Sequence, residues 1–199
     1  VLLLGNDAPA ELVQASRRRQ PFSLPTKRCK SIPFQFPGLA MNRLAIKMFN
    51  GLYYRRHGDK NMLVDFDSYF YPLDSIHHWN RIYGRRGFVQ YQALFPRETS
   101  RQGMTRLLEI IAHSGQASFL AVLKSSGAAN LGMLSYLFDG HTLALDFPFR
   151  GEKTIELCER LDQVLLEFGG RVYLAKDSLV SAEHFSQMYP RIDEFRELK

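Results

Sequence analysis

The run FVQYQALFPRETSRQGMTRLLEIIAHS, from Phe88 to Ser114, joins one strand to one helix, and the rest of the fold can be read outward from it. Gln90 and Gln92 alternate with Val89 and Tyr91, so both amides project from one face of a strand over Phe88–Phe95. Thr99 with Gln102 three residues later has the spacing of a capping box. It opens a helix to Ser114 with Met104, Leu107, Leu108 and Ile111 on one face. Ser118 to Lys124 reads as a strand and Gly127 to Gly132 as a loop. Tyr136–Phe138 and Thr142–Phe147 read as a hairpin across Asp139-Gly140, a favoured turn pair. A helix from about Lys153 to Phe168 buries Leu157, Leu161, Val164, Leu165 and Phe168, and Gly169-Gly170 closes it. A short strand, Arg171 to Ala175, follows, and Ser181 is placed to cap a last helix towards Tyr189.

The order from Phe88 is strand, helix, strand, strand, helix, strand. This predicts an α+β fold of ferredoxin-like split β-α-β type: an antiparallel sheet with helices on one face, its other face covered or used. Upstream, Ile46, Phe49, Leu52 and Tyr53 recur at helical spacing between Leu39 and Arg56, and Gly58–Asn61 breaks the pattern. Met62–Phe66 reads as strand-like, leading into Tyr69-Phe70-Tyr71. Residues Val1 to Pro37 carry Pro21, Pro25, Pro33 and Pro37 and read as an extended connecting arm.

The 199 residues, 45% hydrophobic and 13% aromatic, suffice for one substantial core and exclude wholesale disorder. No run approaches the roughly 18 apolar residues of a membrane span, and the opening VLLLG is too short for a signal-peptide core. The net charge of +6 concentrates in Arg17–Arg19, Lys27–Lys30, Arg55-Arg56 and Arg85-Arg86. Such clusters suit phosphorylated substrates, lipid headgroups or nucleic acid, or are solvated loops. Cys29 and Cys158 form no metal-ligand pattern and read as two reduced thiols of a cytoplasmic protein. His77-His78 lacks a third ligand at useful spacing, so no metal site is expected. The absence of an initiator methionine and the strand-like opening suggest a chain that starts mid-protein.

The stretch GGRVYLAKD, Gly169–Asp177, delivers Tyr173 and Lys176 together at the end of an apolar strand, an unusual use of a charge. With YPLD at Tyr71–Asp74, WNRIYG at Trp79–Gly84, GFVQYQ at Gly87–Gln92 and LALDFP at Leu143–Pro148, it resembles a known family. The motifs are similar to the C-terminal substrate-domain half of FAD-linked oxidoreductases of the vanillyl-alcohol-oxidase type, and most to the decaprenylphosphoryl-ribose 2'-oxidase group. The resemblance runs from about Pro37 to Asp193 and is densest from Tyr71 onward.

The resemblance implies three parts: residues 1–37 as an arm from an FAD-binding domain, 38–170 as a substrate (cap) domain, and 171–199 as a return segment contacting flavin and the FAD domain. It implies FAD, held mostly by that other domain. The glycines at 127, 132, 169 and 170 make no GxGxxG loop here. By the same resemblance Lys176 lies beside the flavin, where a fixed ammonium stabilises negative charge, or the amine, kept neutral by burial, takes the substrate hydroxyl proton. Tyr173 would contact flavin or substrate. Gln90, Gln92, Lys124, Arg81 and Phe70 would line the pocket of a sugar or polyol, a lipid-phosphate-linked sugar among the candidates. Asp146 reads as a structural acceptor and Trp79 as scaffold. Ala144 stands where mycobacterial relatives carry a cysteine, so no thiol chemistry is expected there, and Phe70 where they carry a tyrosine. The implied setting is cytoplasmic, with contact at the inner membrane face. The competing expectation is a non-enzymatic ferredoxin-like module whose basic loops bind nucleic acid or a membrane surface; nucleic acid is disfavoured because Tyr91 alone is a poor stacking platform.

Overall fold

The computed structural model describes residues 4–12, 29–37, 43–58, 61–116, 118, 120–176 and 179–198. Among these, the predicted split β-α-β unit is formed by β3 (Phe88–Pro96), α3 (Ser100–Ser114), β4 (Ala121–Ser126), β5 (Gly140–Pro148), α4 (Glu152–Glu167) and β6 (Arg171–Val172). Ahead of it lie β1 (Lys30–Ser31), α1 (Arg43–Arg56), α2 (Phe66–Phe70) and β2 (Ile76–His77), and after it α5 (Ala182–Met188) and α6 (Ile192–Glu197). The four-stranded sheet has the order β4-β5-β3-β6 with every neighbouring pair antiparallel. That is the strand order of a ferredoxin-like layer: β5 separates β4 from β3, so each helix crosses back over the sheet. β1 and β2 form a separate parallel pair that ties the arm to the segment before β3.

The core lies between one sheet face and the helices. Tyr91, Ala93 and Phe95 of β3 meet Leu143, Leu145 and Phe147 of β5. Leu107, Ile110 and Ile111 of α3 and Leu157, Leu161, Val164 and Leu165 of α4 close over them. Each of the larger aliphatic and aromatic side chains contributes roughly 1.5–3 kcal/mol on leaving water. The apolar stripe of α3 sits slightly round from the predicted one: Ile110 is buried, while Leu108 is 48% exposed. Val172, Met188 and Tyr189 belong to the same core, so β6 and α5 are packed into this unit. Tyr189 Oη donates to the Val172 carbonyl at 2.5 Å, and Ser181 caps α5 as expected, accepting from His184 N.

Four local expectations are corrected. Thr99 caps no donor of its helix; its hydroxyl donates to the Phe168 carbonyl at 2.8 Å, stitching the start of α3 to the end of α4. The Asp139-Gly140 pair is not a hairpin turn: β5 pairs with β4 and β3, Tyr136–Phe138 is irregular, and Asp139 is held by Arg97. Met62–Val64 is not a strand, and Phe66 already belongs to α2, whose N-cap Asp65 accepts from Ser68 N. The last strand stops at Val172 and a turn carries Leu174–Lys176, with Lys176 N donating to Tyr173 O. The helix expected over 39–56 begins at Arg43 among the described residues, and its Leu44, Met48, Phe49, Leu52 and Tyr53 stay exposed. Cys29 is exposed and Cys158 buried, with no disulfide between them. No described helix is long and apolar enough to cross a membrane.

Candidate functional site

In an antiparallel pair, directly opposed residues point to the same face. The register opposes Gln90 to Asp146, Gln92 to Ala144 and Lys124 to Thr142, so all six lie on the sheet face turned away from α3 and α4. Their side chains form two linked groups. In the first, Gln90 Nε2 donates to Asp146 Oδ1 at 2.7 Å and Tyr83 Oη donates to Oδ2 at 3.4 Å. In the second, Gln92 Nε2 donates to Thr142 Oγ1 at 3.3 Å, and Thr142 Oγ1 shares a hydrogen bond of 2.6 Å with Tyr136 Oη. The Tyr136 ring packs 4.6 Å from that of Tyr173, whose N–H donates to the Gln92 carbonyl.

Asp146 is fully buried. Burial raises its carboxyl above the usual carboxylate range; the hydrogen bonds from Gln90 and Tyr83 and the charge of Lys176 pull it back. The same burial, with the Asp146 charge and hydrogen bond added, drives the Tyr83 phenol well above its ordinary value. Tyr136 is pushed up to about 12, chiefly by burial, against hydrogen bonds to Thr142 and Gln92. Both phenols are therefore neutral hydrogen-bonding groups at physiological pH. Arg171, on the same face by its register with Leu94, donates from Nη1 to Ser135 O and lies over the Phe138 and Tyr189 rings. It pins the loop that carries Tyr136.

Lys176 follows β6 as an exposed ammonium close enough to act on Asp146. Lys124 is exposed on the edge strand β4. Five of the sequence-predicted residues, Gln90, Gln92, Lys124, Tyr173 and Lys176, thus sit on or beside this face. Two do not join them. Arg81 Nη1 donates to the Ile32 and Pro33 carbonyls, so its guanidinium anchors the arm. Phe70 is exposed on α2 in an aromatic cluster with Phe66, Tyr69 and Tyr71. Trp79 packs edge-on against Tyr83 and tilted against Phe88, which stack on each other, a scaffold role as expected. Asp146 is the structural acceptor the sequence suggested, whereas Thr142, on the same face, was missed. Tyr83 and Tyr136 gave no signal, since irregular segments supply them. Tyr91 faces the opposite way and donates to Asp162 Oδ1 at 2.7 Å. No group of three potential metal-ligating side chains occurs among the described residues.

Over 192 residues, 96% of its length, the chain is 35% identical to decaprenylphosphoryl-beta-D-ribose oxidase of Mycolicibacterium smegmatis. The chain is a relative of that oxidase. It spans 41% of the ribose oxidase's length. It is also 38% identical over 96 residues to an uncharacterized protein in the mprA 5' region of Streptomyces coelicolor, covering 48% of this chain and 26% of that protein. No protein-family model matches the chain. The stretch aligned with the ribose oxidase takes in the whole sheet and all the elements that carry the open-face cluster.

Proposed function

We propose that the open sheet face is the substrate wall of an FAD-dependent oxidoreductase. The reaction would be oxidation of a CH–OH group of a sugar or polyol, in particular a lipid-phosphate-linked sugar. The observation that carries this reading is the gathering of Gln90, Gln92, Lys124, Tyr173 and Lys176 at one polar sheet face, in a chain related along 96% of its length to a ribose oxidase. The donor set fits the covering half of a flavin site: an exposed ammonium and a tyrosine next to fixed amides. Bound beside Lys176 and Tyr173, FAD would supply the hydride-accepting ring.

The chain's own residues bind, orient and stabilise. Gln90 and Gln92 hold sugar hydroxyls, because an amide offers both donors and an acceptor. Lys124, at the edge of the face, meets a phosphate or an outer sugar oxygen. Lys176 either sets a positive charge where negative charge accumulates during oxidation or, as the neutral amine, takes the hydroxyl proton. Such a placement acts most strongly once the partner domain excludes water. On this reading residues 1–37 lead from an FAD-binding domain, 38–170 form the substrate domain, and 171–199 return to contact flavin. The exposed apolar side chains of α1 beside Arg55 and Arg56 support contact with an anionic membrane surface, where a polyprenyl-linked substrate resides.

The test is flavin reduction in the enzyme that contains this chain, purified beside its Lys176→Ala variant and mixed anaerobically with candidate sugars. Visible flavin absorption should bleach with a sugar in the parent and do so roughly 10²–10³-fold more slowly in the variant. A parent that holds no flavin even after incubation with FAD would refute the proposal.

A further inference from the structure

We infer that Asp146 is a positioning residue that fixes which end of the Gln90 amide faces the substrate. The inference rests on the reading of the open face as a substrate wall. An amide has a donor end and an acceptor end, related by a half-turn that changes little in shape but inverts its hydrogen-bonding sense. An ionised carboxylate accepts only. Asp146 at 2.7 Å therefore requires Gln90 to turn its NH2 inward. Oε1 is then the end left on the open face; it makes no hydrogen bond among the described residues and is not enclosed.

Asp146 is itself held in place. Tyr83 donates to its second oxygen, Ser118 Oγ accepts from its backbone N–H, and it has no exposed surface from which to swing away. Gln92 Nε2 is directed to Thr142, whose hydroxyl both donates and accepts and so does not fix the sense of that amide. The face thus offers one fixed acceptor, Gln90 Oε1. It selects substrates that present a hydroxyl hydrogen at that position over analogues with an ether oxygen there.

Asp146→Asn supplies a donor at the same place and lets the Gln90 amide turn over, presenting NH2 to the substrate. Gln90→Glu alone sets two carboxylates against each other. Combined, the pair is complementary again: the amide introduced at position 146 would donate to one oxygen of the carboxylate at position 90, and the other oxygen would face outward as an acceptor. The experiment measures KM and kcat for sugar-dependent flavin reduction in the flavin-loaded enzyme, with melting temperatures as a control on folding. Each single variant should raise KM about tenfold with kcat nearly unchanged, and the double variant should return to within about threefold of the parent. A double variant with the losses of both singles, or an Asp146→Asn enzyme with unchanged KM, overturns the inference.

A separate readout keeps it distinguishable from the functional proposal. In enzyme labelled with 15N-glutamine, the Gln90 side-chain NH2 resonances should move with pH as Asp146 ionises, and lose that response in Asp146→Asn. Tyr83, whose phenol is pushed up, and Lys176 are the other titratable groups facing Asp146. If no sugar reduces the flavin, the functional proposal falls while this readout still decides the positioning role. A parent Gln90 amide that ignores the ionisation of Asp146 overturns it.

Discussion

Tyr91 offers the most direct measurement of what a single buried polar contact contributes to this fold. Its ring is only 4% exposed and its hydroxyl donates at 2.7 Å to Asp162 of α4, itself 1% exposed. The other carboxylate oxygen lies 3.5 Å from His184 Nδ1 on α5. Tyr91 thus fastens the central strand to a covering helix, and Asp162 lies between that strand and α5. Tyr91→Phe keeps the ring and its packing and deletes only the donor. A hydrogen bond to a charged group is worth about 1.5–3 kcal/mol, because the buried acceptor loses a partner it cannot replace with water. For a domain of this size each kcal/mol lowers the melting temperature by about 2–4 °C, which gives a drop of about 4–8 °C for a midpoint loss near 2 kcal/mol. Asp162→Asn retains an acceptor oxygen for the phenol and should cost less. The double variant should lose less than the sum of the singles, with a coupling of about 1 kcal/mol or more. Thermal unfolding followed by circular dichroism at neutral pH measures all three. A Tyr91→Phe protein that melts within about 1 °C of the parent would show that the bond carries no net stabilisation and that ring packing alone holds the strand; strictly additive losses would show that an amide at position 162 accepts from the phenol as well as the carboxylate does.

Two glycines allow a comparison between side-chain and backbone clashes. A Cβ on Gly103 would stand 2.5 Å from Cε1 of the fully buried Phe95. The roughly 1 kcal/mol of helix propensity gained by Gly103→Ala should be outweighed by about 1–3 kcal/mol of overpacking, for a small net fall in melting temperature. A Cβ on Gly140 would land on the Phe95 carbonyl oxygen, which the paired strand cannot move aside, so Gly140→Ala should lose more stability than Gly103→Ala. The reverse ranking would mean that the β3–β5 register yields there. The raised carboxyl of Asp146 has a signed consequence. The folded state holds that proton more tightly than the unfolded chain, so this group's contribution is complete below the ordinary aspartate range and is lost as pH rises through the folded value. Asp146→Asn should therefore become more stable relative to the parent as pH rises across that window, as denaturant titrations at stepped pH would reveal. A difference that stays flat with pH would show that Asp146 ionises as it would in the unfolded chain.

The sheet was legible in the sequence wherever side chains obeyed a period. Alternation over Phe88–Phe95 located β3 and assigned Gln90 and Gln92 to one face, and helical spacing placed α4 almost to the residue. What misled were local signals that a distant contact overrides. Thr99-Gln102 has capping-box chemistry, yet Phe168 takes the threonine hydroxyl; Asp139-Gly140 has turn chemistry, yet Arg97 and the β4 pairing claim it. The site divides in the same way. Residues on regular strands could be assigned a face by counting. Tyr83 and Tyr136 arrive from a 3-10 turn and an irregular loop, where no period says which way a ring points. Arg81 looked like a pocket cation because nothing in the sequence announces that two carbonyls of the arm consume its guanidinium.

Strand β3 carries two messages interleaved in one line of text: odd-numbered residues from Val89 to Phe95 address the helices, and Gln90 and Gln92 address the open face, the next even-numbered residue, Leu94, being buried. The two can be edited separately, so a lineage can retune what the open face recognises by substituting at Gln90 and Gln92 while the odd-numbered letters keep the fold standing. It cannot insert or delete a letter between Gly87 and Pro96, because every later residue would then speak to the wrong audience. Divergence along this strand should proceed by substitution at constant length, and length variation should accumulate in the loop after β4, whose connection to β5 observes no such grammar.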